Sequence, residues 1–114
     1  MKTLERIHLD ANERAVLRKV AARLKHDLPV DRVVLFGSKA RGSAEADSDI
    51  DLLVLTSCPV TRGLRSQISE LVFEAGLSSD LTLTSVVASE QEWQTGLLRL
   101  LPIRHEVDRD GCEI

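Results

Sequence analysis

A short polar segment between two apolar runs constrains this chain more than any other feature. Residues 33–36 (VVLF) and 52–55 (LLVL) are apolar, and the segment between them opens with the turn-forming residues 37–42 (GSKARG) and ends with Asp49 and Asp51. Short apolar runs bounded by turn residues are typical of buried strands. This order predicts a strand, a small-residue turn, a polar stretch, and a second strand that opens on two carboxylates.

Helical and strand patterns alternate along the rest of the chain. Together they predict one domain over residues 1–114, of the α/β (α+β) class, with a small mixed sheet flanked by helices. A further helical segment is expected from Pro102, followed by a short tail. The other predicted elements are helix 11–28, strand 31–36, strand 50–55, helix 61–75, strand 81–86 and a helix from residue 90 with Trp93, Leu97, Leu100 and Leu101 on its apolar face.

Local signals mark the ends of the predicted helices. Asp10 precedes the first helix and Glu13 follows three residues later, which is the spacing of a capping box. The segment 89–92 (SEQE) has the same spacing before the helix from residue 90. Gly76 directly follows helix 61–75, and glycine is favoured just past a helix end. These signals predict where three helices begin or end.

The composition excludes several classes of protein. The chain has 114 residues, with 15 Lys and Arg against 18 Asp and Glu, and a net charge of −3. Nucleic acid is therefore disfavoured as the main partner, because nucleic-acid binders usually carry a basic excess. No run reaches the ~18 apolar residues that a membrane span needs. The two cysteines fit neither a zinc pattern nor a disulfide framework, so we expect a reducing, cytoplasmic setting.

The carboxylates before the second strand suggest a metal site. Alternate residues of a strand point to the same face, so Asp49 and Asp51 are expected to share one. Mg²⁺ prefers such oxygen ligands and is completed by substrate phosphates and water. The alternative is a solvated loop, because aspartate is common before strands. Asp47 continues the alternation, and we interpret it as a loop acid.

Asp80 is the candidate for a third carboxylate. It lies at the start of the predicted strand 81–86. If that strand pairs beside residues 50–55, Asp80 approaches the other two acids and becomes a metal ligand or a proton acceptor. An ordinary aspartate at a strand start is the equally weighted alternative.

The turn after the first strand suggests an anion site. Gly37 allows a sharp bend and a close approach of the backbone to a ligand. Ser38 offers a hydroxyl and a backbone N–H at a possible helix start, and Lys39 and Arg41 add positive charge. The alternative is an ordinary strand-to-helix turn with two solvated basic residues. The short distance along the chain to the acid pair favours the anion site.

These residues resemble the nucleotidyltransferase superfamily related to DNA polymerase β. The segment 37–42 followed by 48–52 (SDIDL) is most similar to its minimal nucleotidyltransferase (MNT) branch, small prokaryotic domains often paired with a HEPN-domain protein as a toxin–antitoxin module. The resemblance implies a nucleotidyltransferase fold and a triphosphate substrate. It assigns Gly37, Ser38 and Arg41 to the phosphates, and Asp49, Asp51 and Asp80 to catalysis and to binding two Mg²⁺ ions.

The activity implied by the resemblance is transfer of AMP from ATP to a hydroxyl, often a tyrosine, of a HEPN toxin in a hetero-oligomer. Two alternatives stay open. One is an antitoxin that acts by occlusion without chemistry, which is favoured by the many leucines over residues 97–101. The other is a nucleotidyltransferase that modifies a small molecule, as antibiotic-modifying enzymes do.

Overall fold

The fold is a mixed sheet with helices on both faces. The computed structural model describes residues 1–43 and 48–114, and Asp47 lies outside the described residues. Short 3₁₀ turns cover Leu4–Arg6 and Leu97–Leu100. The strands are β1 (Lys2–Thr3), β2 (Val30–Phe36), β3 (Ile50–Thr56), β4 (Leu83–Ser89) and β5 (Cys112–Glu113), and the helices are α1 (Ala11–Asp27), α2 (Ser38–Arg41), α3 (Arg62–Ser78), α4 (Glu90–Thr95) and α5 (Pro102–Asp110).

The strand order in the sheet is β1-β5-β2-β3-β4. Strands β2 and β3 are antiparallel, and β3 pairs with β4 in parallel. The chain reverses direction between β2 and β3, so the end of β2 lies beside the start of β3. The parallel pairing of β3 with β4 brings the start of β4 to the same edge. Three chain segments therefore meet at one end of the sheet.

Both faces of the central strands are buried. On β2, Val33 and Leu35 pack against α1 and α3, whereas Val34 and Phe36 face the side covered by α4 and α5. This division follows from the alternation of side chains along a strand. Complete burial of each large apolar side chain contributes about 1.5–3 kcal/mol. The resulting α/β architecture confirms the predicted fold class. Among the described residues, none of the helices combines the length and apolarity required to cross a membrane.

The local capping signals are confirmed. The Asp10 carboxylate accepts a hydrogen bond from the Glu13 N–H, and the Glu13 carboxylate accepts one from the Asp10 N–H. Ser89 and Glu92 form the same reciprocal pair at the start of α4. Pro102 is the first residue of α5. Each of these signals depends on residues within one turn of helix, so sequence spacing is enough to reveal it.

The predicted role of Gly76 is wrong. Helix α3 continues to Ser78, so Gly76 lies inside it. A Cβ at this position would lie 2.7 Å from the backbone oxygen of Leu81. The Leu81 N–H also donates to the Gly76 oxygen over 2.9 Å. Glycine is needed here because the backbone of the segment leading to β4 packs directly against the backbone of α3.

The elements near the C-terminus also differ from the prediction. Strand β4 begins at Leu83, two residues later than expected. Helix α4 ends at Thr95, and the 3₁₀ turn after it leaves Leu97 and Leu100 exposed rather than on a buried helix face. The short strands β1 and β5 pair with each other at the sheet edge, although the sequence suggested only a tail there.

Candidate active site

Strand register brings the glycine turn into contact with the acid pair. Phe36, at the end of β2, pairs with Asp51 at the start of β3. Gly37 follows immediately, with φ 80° and ψ −157°, a conformation that residues other than glycine rarely adopt. A Cβ on Gly37 would lie 3.2 Å from Cγ of Asp51 and would overlap its Oδ2. The turn therefore requires glycine for its backbone conformation and for the close packing of this carboxylate.

Asp51 is held on its other side by β4. The Thr84 hydroxyl donates a hydrogen bond to Oδ1 of Asp51 over 2.7 Å. Thr84 is also the register partner of Asp51 in the parallel β3–β4 ladder. Because Oδ2 faces Gly37 and Oδ1 accepts from Thr84, the half-buried carboxylate has a defined orientation.

Asp49 lies directly before β3 and is exposed. Within the residues that the structure describes, its carboxylate makes no hydrogen bond or ion pair. Asp49 immediately precedes β3 and Asp51 is its second residue, so both can present oxygens at the same end of the strand. That they share one cation stays a prediction.

Asp80 does not join the acid pair, contrary to the expectation from the sequence. It lies in an exposed turn three residues before β4, with φ 58°. Because β4 begins at Leu83, the residue opposite Asp51 is Thr84. In the described parts of the chain, no group of three or more His, Cys, Asp or Glu side chains is placed to hold a metal ion. The pairing register thus places a hydroxyl where a third acid was expected.

Two side chains of the turn, those of Ser38 and Arg41, are not engaged by the rest of the described structure. Ser38 begins the short helix α2 and is half-buried, whereas Arg41 is exposed at its end. Among the described residues, neither side chain has a hydrogen-bond or ion-pair partner. Gly42 closes the turn with φ 78°. The side chains of Ser38 and Arg41 are therefore available to a ligand at the turn, and their predicted contact with phosphate stays a prediction.

Lys39 neither faces the predicted anion site nor lies in solvent, which was the alternative interpretation of the sequence. Its Nζ lies 2.7 Å from Oε2 of Glu13, and the exposed fractions of the two side chains are 8% and 6%. The other oxygen of Glu13 closes the capping box of α1. Lys39 thus anchors the turn to α1 instead of facing a ligand. Sequence spacing assigned Glu13 to the cap and gave no signal for this long-range partner.

The donor set at this edge fits one Mg²⁺ ion. Mg²⁺ in nucleotide sites is held by one or two carboxylates together with phosphates and water. Asp49 and the oriented Asp51 would supply the carboxylates, and Gly37, because it lacks a Cβ, leaves the space that the Asp51 carboxylate occupies. A second ion has no third carboxylate to hold it within the described residues.

A groove between α1 and α3 lies elsewhere on the molecule. It has a volume of about 600 Å³, and Arg23, Asp27, Glu70 and Glu74 are among its lining residues. Asp51 and Leu53 point to the same face of β3, and Leu53 packs with Phe36 on the side opposite to the one that α1 and α3 cover. This groove is therefore separate from the candidate active site.

The fold and the contact between Gly37 and Asp51 can be compared with known protein families. A family model described as a nucleotidyltransferase domain matches residues 17–109. The chain belongs to this nucleotidyltransferase domain family. Its fold and its membership confirm the resemblance seen in the sequence.

One curated relative is "Putative protein adenylyltransferase MJ0141" from Methanocaldococcus jannaschii, which is 33% identical over 58 residues. The match covers 51% of this chain, and the chain spans 59% of the length of that relative.

Two solved structures share the fold. A crystal structure of a toxin–antitoxin with AMP-PNP is 19% identical, with a TM-score of 0.58 over 87% of this chain and 69% of that chain. A mutant of the MntA–HepT toxin–antitoxin, with glutamate at two aspartate positions two residues apart, is 18% identical. Its TM-score is 0.56 over 92% of this chain and 71% of that chain.

Proposed function

We propose that this chain transfers AMP from ATP to a hydroxyl of a partner protein, a toxin of the HEPN type, and acts as its antitoxin. The contact between Gly37 and Asp51 carries the proposal, because it joins an anion-binding turn to a cation-binding carboxylate. A triphosphate complexed with Mg²⁺ needs both functions within a few ångströms.

The proposed roles follow from the positions of the side chains. Asp49 and Asp51 hold the Mg²⁺ ion, which when bound neutralises charge on the phosphates. The backbone at Gly37 and the Ser38 hydroxyl bind the terminal phosphates, and Arg41 adds a bidentate donor. The acceptor oxygen forms a bond to the α-phosphorus, the bond to the bridging oxygen breaks, pyrophosphate leaves, and the acceptor proton passes to solvent. The chain contributes positioning and charge stabilisation.

The relatives support the nucleotide and the kind of partner. The relative from Methanocaldococcus jannaschii is named "Putative protein adenylyltransferase MJ0141". One structural neighbour is a toxin–antitoxin with AMP-PNP. Another carries substitutions at two aspartates with the same spacing as Asp49 and Asp51. A tyrosine of the partner is the acceptor that we propose.

The test is transfer of labelled AMP from ATP with Mg²⁺ to the product of the neighbouring gene, located by mass spectrometry. Asp49→Asn and Asp51→Asn should each reduce the rate at least 100-fold, since each removes a proposed cation ligand. Asp31→Asn is the matched control, because Asp31 is an exposed aspartate at the far end of β2. Equal transfer by all three variants, or none by the unaltered chain, would refute the proposed activity.

Occlusion is a second candidate function, and an exposed apolar cluster favours it. The side chains of Leu97, Leu100 and Leu101 are 81%, 75% and 47% exposed. Such a cluster is suited to contact with another protein. The double variant Asp49→Asn/Asp51→Asn separates the two candidates. Full neutralisation of the partner by this variant in a growth assay would support occlusion, and lost neutralisation would support chemistry.

A further inference from the structure

We propose that Thr84 is the positioning residue that orients Asp51 for divalent-cation binding. This inference rests on the proposed function, because it concerns the same site. The sequence pattern gave no role to Thr84, which reads as one polar residue of an alternating strand. Its assignment comes from the parallel register of β3 and β4 and from one hydrogen bond.

The geometry divides the two oxygens of Asp51 between two neighbours. Oδ1 accepts the Thr84 hydroxyl over 2.7 Å. Oδ2 faces the Cα of Gly37, where a Cβ would overlap it. A carboxylate that accepts one hydrogen bond keeps further lone pairs for a cation, and its side-chain torsions are restricted before the cation arrives. Thr84 thus reduces the ordering that Asp51 must undergo on binding.

The Thr84 side chain is exposed, so it adds little to the packed core. A valine of nearly the same shape keeps the strand preference and removes only the hydroxyl. Loss of a hydrogen-bonding partner of a metal ligand typically costs 10–100-fold in metal affinity. The contribution of Thr84 to cation binding can therefore be separated from its contribution to stability.

The experiment titrates Mn²⁺ into the protein with AMP-PNP and follows protein-bound Mn²⁺ by the enhancement of water-proton relaxation, with the same titration of AMP-PNP without protein as the baseline. Thr84→Val should weaken Mn²⁺ binding about 10-fold or more, whereas Thr84→Ser, which keeps the hydroxyl, should stay within about 3-fold of the unaltered chain. Thr82→Val is the matched control, since Thr82 is an exposed threonine just before β4. Thermal unfolding should give the same Tm for all four proteins within about 3 °C.

A second comparison isolates the link to Asp51. In an Asp51→Asn background, Thr84→Val should cause no further loss of Mn²⁺ affinity. Equal Mn²⁺ affinity of Thr84→Val and the unaltered chain would overturn the role of Thr84 and leave the proposed function intact. Absence of Mn²⁺ binding by the unaltered chain with AMP-PNP would overturn the proposed function, and this inference with it.

Discussion

Replacing Lys39 by methionine removes one charge from a buried ion pair and keeps most of the length of the side chain. Glu13 then retains its carboxylate in a site where the two side chains are 6% and 8% exposed. Removing one partner of such a pair costs about 3–5 kcal/mol, because the remaining charge is buried without compensation. At about 2.1 cal/mol/K of unfolding entropy per residue, the 114-residue chain would lose roughly 12–20 °C in Tm.

The assay is urea unfolding followed by circular dichroism, together with a thermal scan. Lys19→Met is the matched control, because Lys19 is an exposed lysine on the same helix as Glu13, and we expect a change within about 0.5 kcal/mol. The double variant Glu13→Gln/Lys39→Met should recover most of the loss, since a neutral glutamine still serves the capping box. A loss below about 1 kcal/mol for Lys39→Met would refute the reasoning, as would a double variant less stable than the single one.

Gly37 and Gly76 give two further tests, and Gly63 is a control that should change stability in the opposite direction. Gly37→Ala should cost about 1–3 kcal/mol through its positive φ, and it should weaken Mn²⁺ binding because the new Cβ displaces the Asp51 carboxylate; thermal scans and Mn²⁺ titration measure the two effects. Gly76→Ala should destabilise by about 1–3 kcal/mol, because its Cβ meets the Leu81 oxygen. Gly63→Ala in the same helix, where the nearest heavy atom is 4.0 Å away, should instead stabilise by about 0.5–1 kcal/mol. This account would be contradicted if urea unfolding gave Gly76→Ala and Gly63→Ala a change in stability of the same sign.

The features that sequence predicted well are local. The capping boxes at Asp10 and Ser89 depend on residues three apart, and the two central strands depend on short apolar runs. Asp49 and Asp51 could be placed together because a single residue separates them where β3 begins. The placement of Asp51 beside Gly37 follows from the antiparallel pairing of β2 and β3, in which Phe36 is the partner of Asp51.

The features that sequence missed depend on contacts between distant segments. A two-residue shift in the start of β4 moves Asp80 out of the site and puts Thr84 opposite Asp51, and strand register has no local signal in this segment. Lys39 was interpreted as a cation of the anion site, or alternatively as a solvated one, because its partner Glu13 lies 26 positions earlier and leaves no local signal. Gly76 was predicted to follow the end of a helix, because the segment around Leu81 that packs against it cannot be inferred from the local sequence.

Each oxygen of the Glu13 carboxylate makes a different interaction. One oxygen completes the start of α1, and the other meets Lys39 in the turn before β3. Fraying of the first turn of α1 would therefore release the lysine and loosen the turn, although the fraying begins in another layer of the molecule. The order of the turn at Gly37 therefore depends on how well a helix that begins more than 20 residues earlier in the chain holds its own first turn.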